Sequence, residues 1–547
     1  MTSAPAGWAS RHGRVVLFGT AVAMTGLAWL HRFVQDDAFI SFRYARHLAE
    51  GHGLVWNLGE RPIEGFTNLL WTLLVALAMK CGREPVATSM VLGLGSFVVT
   101  MLATQAIVTL LTGSRFAAWV ATVLLGTNYT FSAYATGGLE TQLQAALFTV
   151  AAWLTLRVIV RKERRHLAAL SVVLALAIAT RLDSALVVVV LGIAATLAIV
   201  RDLEDGRSRS LALLILPGGA GVVALVAWKL SYFGAVLPNT FYVKAASPAL
   251  GFRGVEYVVA FLRHYGLLLA SAIASVFAVR AAKASGRRAL VLLAAVALWT
   301  LYVAAVGGDF MEFRFMVPVL PLFVAFLVWS WVAGGAGRAL TLAMTGALIF
   351  DSFAHEYDTS DEAFLMDGAG IETIPALQAH LKDPNQDWAT LGKALGASFD
   401  QRDQVSIAVM AAGAIPYYSD LRTIDMLGLN DAWIARHGVA NSSRPGHARV
   451  APAEYLVLER VSFVVHPWVP DAPPQRAAAY DVEDLHDWLK FSSPEAIPQG
   501  AEIVEIPITK ERTLRVLYLV RQAAVDRHIA EHGWRVFPIT RRAPPAP

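Results

Sequence analysis

Two adjacent aspartates, Asp36 and Asp37, open a polar segment directly after the first long apolar run of the chain. Neighbouring carboxylates repel each other, so one can keep a raised pKa and act as a general base while the other orients it or holds a cation. A structural role is the alternative, because an aspartate that precedes an apolar helix commonly caps its N-terminus. The pair therefore predicts either a proton-accepting site or a helix start.

Cationic side chains lie in comparable polar segments between apolar runs: Arg43, Lys244 and Arg314. Lysine binds a phosphate as a point charge, and arginine binds it through two parallel hydrogen bonds. Snorkelling is the alternative for Lys244, because long cationic side chains near a bilayer reach out to lipid phosphates. These three residues are candidates for a phosphate site at the level of the lipid headgroups.

Further polar residues of interest are Glu64, Asn68, Glu140, Asp183, Asp309 and His447. Glu140 and Asp183 each precede an apolar helix, where the helix dipole also stabilises a carboxylate. Arg181 stands two residues before Asp183 and predicts an ion pair with it. His47, His52, His355 and His447 lack the H-x-E and H-x₃-H spacings of zinc sites, which leaves a divalent cation at the paired aspartates as the metal to consider.

The composition indicates which elements must position these residues. The chain has 547 residues, of which 56% are hydrophobic and 16% charged, against about 45–50% and about 25% in ordinary soluble proteins. This excludes a purely soluble, a disordered and a fibrous protein. A net charge of +4 is too small to indicate a nucleic-acid partner, and the single cysteine, Cys81, excludes an internal disulfide.

Apolar runs long enough, or nearly long enough, to cross a bilayer of about 30 Å fill residues 1–351. A shorter run, Phe66–Met79, predicts a helix lying at the membrane interface. We predict eleven spans, at residues 14–31, 87–112, 116–133, 140–157, 166–180, 184–200, 210–230, 257–279, 289–306, 315–334 and 338–351.

The basic residues orient these spans. If the first span leaves the cytoplasm, most of the arginines and lysines between spans fall in inner loops, as the positive-inside rule requires. The acidic and polar candidates then lie at the outer mouth of the bundle, beginning with a first outer loop at residues 31–86. Because the number of predicted spans is odd, residues 352–547 are expected on the outer side as well.

The C-terminal part, residues 352–547, carries mixed signals that predict a soluble α/β domain. Helical periodicity is found at Ile374–Leu381 and Val525–His532, and Pro467–Pro474 and Pro544–Pro547 predict a loop and a frayed end. Strands are predicted at Ser406–Met410, Val461–Val465, Glu502–Ile508 and Leu514–Val520.

These features together resemble the GT-C membrane glycosyltransferases, in which a first outer loop with paired aspartates precedes a helical bundle and an outer soluble tail. The segments Asp36–Arg46, Gly51–Asn57 and Glu64–Asn68 look most like the branch that contains the mycobacterial terminal β-arabinofuranosyltransferases. Gly307–Met311, Ile424–Asp431 and Arg444–His447 fit the same branch.

The resemblance implies an inverting sugar transfer at the outer face of a bacterial plasma membrane. It implies a polyprenyl-phosphate sugar as donor, with arabinofuranose as the sugar of that branch, and a cell-envelope glycan or lipid as acceptor. Asp36 or Asp37 would be the general base, with Asp36 the first choice. Arg43, Lys244 and Arg314, or a divalent cation, would neutralise the leaving phosphate. Sugar or acceptor contacts would come from Glu64, Asn68, Glu140, Asp183, Asp309 and His447.

Two other classes of protein stay open on the sequence. A transporter or flippase for a lipid-linked solute would need ionisable groups within its spans and inverted repeats, and the chain has few such charges and no repeat at a fixed period. A non-catalytic envelope-assembly protein would use its outer domain only to bind glycan.

Overall fold

Apolar sequence folds into helices over the first two thirds of the chain, up to Asp358. The structure is a computed structural model that describes residues 6–202, 206–245, 250–281, 283–359, 365–366, 370–382, 387–399, 404–442, 444, 446–465, 480–482, 485, 488–490, 494–508 and 512–540. The predicted loop Pro467–Pro474 and the frayed end Pro544–Pro547 lie outside the described residues.

The helices of this first part, which we call the helical region, are α1 (Ala6–Leu30), α2 (Ala38–Ala49), α3 (Leu69–Lys80), α4 (Pro85–Thr112), α5 (Arg115–Thr127), α6 (Tyr129–Ala133), α7 (Thr141–Arg161), α8 (Leu167–Thr180), α9 (Ala185–Asp202), α10 (Arg207–Phe233), α11 (Asn239–Ala245), α12 (Leu250–His264), α13 (Gly266–Ala281), α14 (Lys283–Ala305), α15 (Leu320–Ala333) and α16 (Arg338–Asp358). Of the described residues, six segments are long and apolar enough to cross a membrane: Pro85–Thr112, Thr141–Arg161, Leu182–Asp202, Arg207–Phe233, Arg288–Ala305 and Arg314–Ala333.

These six segments coincide with six of the eleven predicted spans. The first and third predicted spans contain shorter apolar helices, Val15–Leu30 and Arg115–Thr127. The run predicted at 257–279 is divided at Tyr265 into α12 and α13. The total of eleven therefore stays a prediction. The apolar run at Phe66–Met79 forms the twelve-residue helix α3, too short to span a bilayer directly.

Beyond Asp358 the chain alternates short helices and strands, and we call this part the C-terminal region. Its helices are α17 (Ile374–Lys382), α18 (Trp388–Ser398), α19 (Ala414–Ser419), α20 (Ala432–His437), α21 (Ala453–Leu458) and α22 (Ala523–His532). Its strands are β1 (Leu365–Met366), β2 (Ile371–Glu372), β3 (Ser406–Val409), β4 (Arg422–Asp425), β5 (Val439–Ala440), β6 (Arg449–Val450), β7 (Phe463–Val465), β8 (Tyr480–Asp481), β9 (Glu502–Pro507), β10 (Thr513–Tyr518) and β11 (Arg535–Thr540). The four predicted strands and two predicted helices are confirmed within a few residues.

Seven of the described strands form one mixed sheet in the order β4-β3-β7-β10-β9-β11-β8. The β3 strand is parallel to both β4 and β7, and β10 is antiparallel to β7 and β9. Side chains alternate between the two faces, since Val504 and Ile506 join the core that extends into the helical region whereas Ile503 joins a separate core on the other face. One face of the sheet is thus packed toward the helices.

The loop between α2 and α3 binds the outer edge of β4. The side-chain amide of Asn57 donates to the carbonyl of Thr423 at 3.0 Å and accepts from its N–H at 2.9 Å, so it pairs with the strand as a neighbouring backbone would. Trp56 Nε1 donates to the same carbonyl at 2.8 Å. This edge of the sheet is therefore satisfied by side chains of the helical region.

We expect Asn57→Ala to weaken the attachment of the C-terminal region. The change removes the acceptor of the Thr423 N–H, whereas the Thr423 carbonyl keeps its bond from Trp56, and leaving a buried donor unpaired costs about 1–3 kcal/mol. The thermal-unfolding midpoint of the detergent-solubilised protein should fall, and limited proteolysis should cleave the C-terminal region faster. Gln522→Ala is the control, because among the described residues its side-chain amide donates only one long, exposed hydrogen bond, of 3.5 Å to the Arg460 carbonyl. Equal behaviour of the two variants would contradict the role of Asn57.

Candidate active site

A cavity of about 200 Å³ lies between one end of the helical bundle and the C-terminal region. Of the sequence candidates, the structure brings Asp36, Asp37, Asn68, Glu140, Lys244, Arg314 and His447 to its wall. The C-terminal region adds side chains that the sequence reasoning did not select, which are Glu372, His380, Trp388 and Arg444. The cavity is therefore built by both parts of the chain.

Asp36 is buried and joins the two parts. Its carboxylate oxygens accept hydrogen bonds from the backbone N–H groups of Gly413 at 3.0 Å and Ala414 at 2.7 Å, at the start of α19. Burial raises the pKa of Asp36 to about 7, although the N–H of Ala414 opposes the shift. The predicted capping of the following helix is thus not observed, since α2 has no side-chain capping bond and Asp36 instead binds the start of a helix in the C-terminal region.

Asp37 differs from its neighbour in having no hydrogen-bond donor on its carboxylate among the described residues. It occupies the N-cap position of α2, yet its side chain makes no capping bond. Burial raises the pKa of Asp37 to about 6, and the nearby Arg314 opposes the shift. Asp37 is a carboxylate that faces the cavity and is suited to accept a proton near neutral pH.

Three cations surround the ring of Phe315. The guanidinium carbons of Arg181 and Arg314 lie 5.3 Å from its centroid, and the ammonium of Lys244 lies at 5.9 Å. We call Arg181, Lys244 and Arg314 the cation cluster. Attraction between a cation and the ring face stabilises this crowding of like charges.

Carboxylates compensate the two arginines of the cation cluster. Arg314 pairs with Asp309 at 2.6 Å, and Arg181 pairs with Glu140 at 2.7 Å and with Asp183 at 2.6 Å. The ammonium of Lys244 has no described carboxylate within 4 Å, and burial lowers the pKa of Lys244. The three carboxylates balance the three cations in number, and Lys244 is the cation that a ligand anion could still contact directly.

A polar chain connects the loop before α3 to this cluster. Ser41 Oγ donates to the Asn68 side-chain carbonyl at 3.0 Å, and Asn68 Nδ2 donates to Glu140 Oε2 at 2.8 Å. The predicted ion pair of Arg181 with Asp183 is confirmed. Asp183 also accepts from Gln144 and Tyr302 and lies behind the cavity wall.

The structure places Arg43, a predicted phosphate ligand, outside the cavity. Its guanidinium is buried and donates to the backbone carbonyls of Trp56 at 2.9 Å, Leu421 at 2.9 Å and Pro416. Trp56 and Leu421 belong to loops at the junction with the C-terminal region, and Pro416 belongs to α19. Arg43 thus holds that junction and does not reach a ligand in the cavity.

Two other candidates also lie off the cavity wall. Glu64 pairs with the buried Lys229 of α10 at 2.8 Å, and burial raises the pKa of Glu64 to about 7. Asp309 faces a small adjoining cavity while its carboxylate holds Arg314. Both residues support the wall from behind and are not placed to touch a ligand in the main cavity.

The short helix α11, which carries Lys244, is held by the loop after β4. The side-chain amide of Asn239 donates to the carbonyls of Gly428 at 2.9 Å, Leu429 at 3.0 Å and Asp431 at 3.2 Å. Asp425 organises that loop by accepting from Leu427 and Asn430. The acidic motif Ile424–Asp431 therefore fixes the helix that presents Lys244.

Several residues of the wall carried no usable sequence signal. Glu372, His380 and Trp388 follow one another at intervals of eight residues, which matches no motif. Phe315, which lies behind the wall beneath the three cations, sits in an apolar run. Only contacts across the fold assemble them. Among the described residues, no group of three or more His, Cys, Asp or Glu side chains is placed to hold a metal ion.

Comparisons with known proteins agree with this architecture. A family described as a domain of unknown function, DUF8728, matches residues 378–514. The fold is similar to ArnT of Cupriavidus metallidurans bound to undecaprenyl phosphate, with a TM-score of 0.55, 12% identity, and coverage of 94% of this chain and 99% of that chain. The apo form of the same protein gives a TM-score of 0.51 at 13% identity, covering 93% and 98%. The expected resemblance to the GT-C glycosyltransferases is confirmed for the fold.

Sequence similarity points to the branch expected from the first-loop motifs. The terminal β-(1→2)-arabinofuranosyltransferase of Mycobacterium tuberculosis is 30% identical over 274 residues, which are 48% of this chain and 42% of that protein. The protein of the same name in Corynebacterium glutamicum is 29% identical over 356 residues, 55% of this chain and 48% of that protein. The chain spans about half the length of the curated relatives that it matches.

We expect Gly413→Ala to disrupt the junction at Asp36. A Cβ atom at position 413 would lie 2.0 Å from the Asp36 carbonyl oxygen and 2.5 Å from its carboxyl carbon, so the first loop must shift. Overpacking of this kind costs about 1–3 kcal/mol, and a lower thermal-unfolding midpoint should report it. Gly500→Ala is the matched control, because its Cβ would meet only Arg521 Cδ at 3.5 Å. An unchanged midpoint for Gly413→Ala would refute this packing argument.

Proposed function

We propose that this protein is an inverting glycosyltransferase that moves a sugar from a polyprenyl-phosphate donor to a hydroxyl group of a cell-envelope glycan or lipid. The observation that carries the proposal is the presence, in the wall of one cavity, of Asp37, whose carboxylate has no hydrogen-bond donor among the described residues, and of two cations, Lys244 and Arg314. Lys244 has no described carboxylate within 4 Å, so its ammonium is free to contact a ligand anion directly. Such a site can take a proton from one reactant and stabilise the anion that leaves the other.

The transfer would proceed in one displacement. Asp37 accepts the proton of the acceptor hydroxyl while the oxygen of that hydroxyl forms a bond to the anomeric carbon of the sugar. The bond from the anomeric carbon to the phosphate oxygen breaks, and its electron pair leaves with the polyprenyl phosphate. Lys244 and Arg314 would stabilise the growing charge on that phosphate.

Asp37 is favoured as the base over Asp36, which reverses the first choice made from the sequence. Both Asp36 oxygens already accept backbone hydrogen bonds, so protonating that carboxylate would break a contact between the two parts of the chain. Asp36 is then a positioning residue that sets the direction of Asp37.

The position of the cavity and the names of the relatives both bear on the sugar donor. The lipid part of a lipid-linked sugar stays in the bilayer, so a protein would bind its phosphate at the level of the headgroups. Lys244 of α11 lies at the end of the helical bundle, where such a phosphate would be reached. The curated relatives are named for arabinofuranosyl transfer, and ArnT was solved with undecaprenyl phosphate. Arabinofuranose on a polyprenyl phosphate is therefore the first donor to test.

We place the cavity and residues 352–547 on the outer side of a bacterial plasma membrane, which the distribution of basic residues supports.

We expect Asp37→Asn to abolish transfer while the binding of the polyprenyl-phosphate donor persists, because the amide cannot accept the proton. In the unchanged protein, kcat/KM should rise with pH through about 6 and then level off, because Asp37 must be ionised to act as a base. Asp36→Asn should lower the thermal-unfolding midpoint and retain measurable transfer. Full activity of purified Asp37→Asn would contradict the assignment, and donor binding without any transfer by the unchanged protein would favour the transporter alternative.

We expect Lys244→Ala to weaken donor binding by about 10- to 100-fold, the usual effect of losing one charge-assisted hydrogen bond. Equilibrium binding of undecaprenyl phosphate to the purified protein measures this. Lys382→Ala removes an exposed lysine of α17 and should bind as the unchanged protein does. If Lys244→Ala binds undecaprenyl phosphate normally, Lys244 is a membrane-interface residue with no part in the site.

A further inference from the structure

The cavity has a second wall of a different chemical character. It consists of Glu372, His380, Trp388 and Arg444, and we call these residues the acceptor wall. All four come from the C-terminal region, between β2 and the loop after β5.

The charged residues of the acceptor wall compensate each other. Glu372 Oε2 lies 3.1 Å from His380 Nε2, and Arg444 Nη2 contacts Glu372 Oε1. Burial alone would raise the pKa of Glu372, but the contacts with His380 and Arg444 lower it to about 2. Glu372 therefore stays a carboxylate and offers fixed hydrogen-bond acceptors beside the guanidinium donors of Arg444.

An aromatic plane lies next to this ion pair. The indole of Trp388 is stacked on the imidazole of His380, with ring centroids 4.2 Å apart and planes 7° from parallel. Trp388 is buried and lines the cavity. A flat apolar surface bordered by fixed donors and acceptors suits a sugar ring, which has apolar C–H faces and hydroxyl groups at its rim.

Asp37 faces both walls. The charges acting on Asp37 include Arg314 and Lys244 from the cation cluster and Glu372 from the acceptor wall. An inverting displacement brings the nucleophile to the sugar opposite the leaving group. If Lys244 and Arg314 hold the phosphate, the attacking hydroxyl must approach the sugar from the side away from that phosphate.

We infer that the acceptor wall binds the terminal sugar of the acceptor, and that this sugar is a neutral saccharide recognised by stacking on Trp388 and by hydrogen bonds to Glu372 and Arg444. The inference rests on the proposed function and makes it more specific. Neutrality follows from the compensation of Arg444 by Glu372, since an anionic sugar would compete with that carboxylate.

Binding and kinetics together test this inference. Octyl glycosides of neutral pentoses and hexoses serve as probes, and an octyl glucuronide is the anionic counterpart. Saturation-transfer NMR should show binding of a neutral glycoside to the unchanged protein. Trp388→Ala and Glu372→Gln should each weaken that binding at least tenfold, while Trp388→Phe retains most of it. With a polyprenyl-phosphate sugar as donor, the KM for the glycoside should rise and the binding of undecaprenyl phosphate should not change.

Trp433→Ala provides a matched control. Trp433 is stacked on Tyr455 in the same region, with centroids 4.2 Å apart and planes 3° from parallel, but it is absent from the cavity wall. The inference is overturned if no neutral glycoside binds, if the glucuronide binds more tightly, or if Trp388→Ala and Trp433→Ala bind equally. Glycoside binding that Trp388→Ala abolishes, without transfer by the unchanged protein, would uphold the acceptor wall and refute the proposed enzyme.

Discussion

The rest of the structure depends on the hydrogen bonds that the Asp36 carboxylate accepts from the backbone of Gly413 and Ala414. They join residues that are almost 380 positions apart in the chain, and the absence of a side chain on Gly413 permits the approach. Since Asp37 follows Asp36 directly, the same contact sets where the second carboxylate faces. The contact of Asp36 with Gly413 and Ala414 therefore both closes the cavity and orients the Asp37 carboxylate toward its interior.

Electrostatic compensation determines what the cavity can receive. Glu140, Asp183 and Asp309 bind the two arginines near Phe315 and hold them in place without a ligand. Lys244 stands on a helix that the C-terminal region clamps through Asn239. Charges fixed before the reaction begins need little reorganisation as an anion develops, which is the usual basis of electrostatic catalysis.

Local patterns allowed the elements and about half of the site to be predicted. Long apolar runs predicted most of the helices, and alternation of apolar and polar residues predicted the strands β3, β7, β9 and β10. The polar segments between the apolar runs led to Asp37 and Lys244 as site residues. Arg43 was misassigned because a cation in a polar loop has the same appearance whether it binds a ligand or backbone carbonyls. The contribution of Trp388 depends on tertiary contacts between distant segments, for which a single sequence has no periodic signal.

The pairing of Asn57 with β4 has a consequence for association between molecules. An uncovered edge strand offers its N–H and C=O groups to any other extended chain, and natural proteins commonly block such edges. At Thr423 the block is provided by the loop between α2 and α3, which belongs to the helical region. A C-terminal region that detached from the helices would therefore expose a template for β-pairing, so intramolecular docking also protects this protein against self-aggregation.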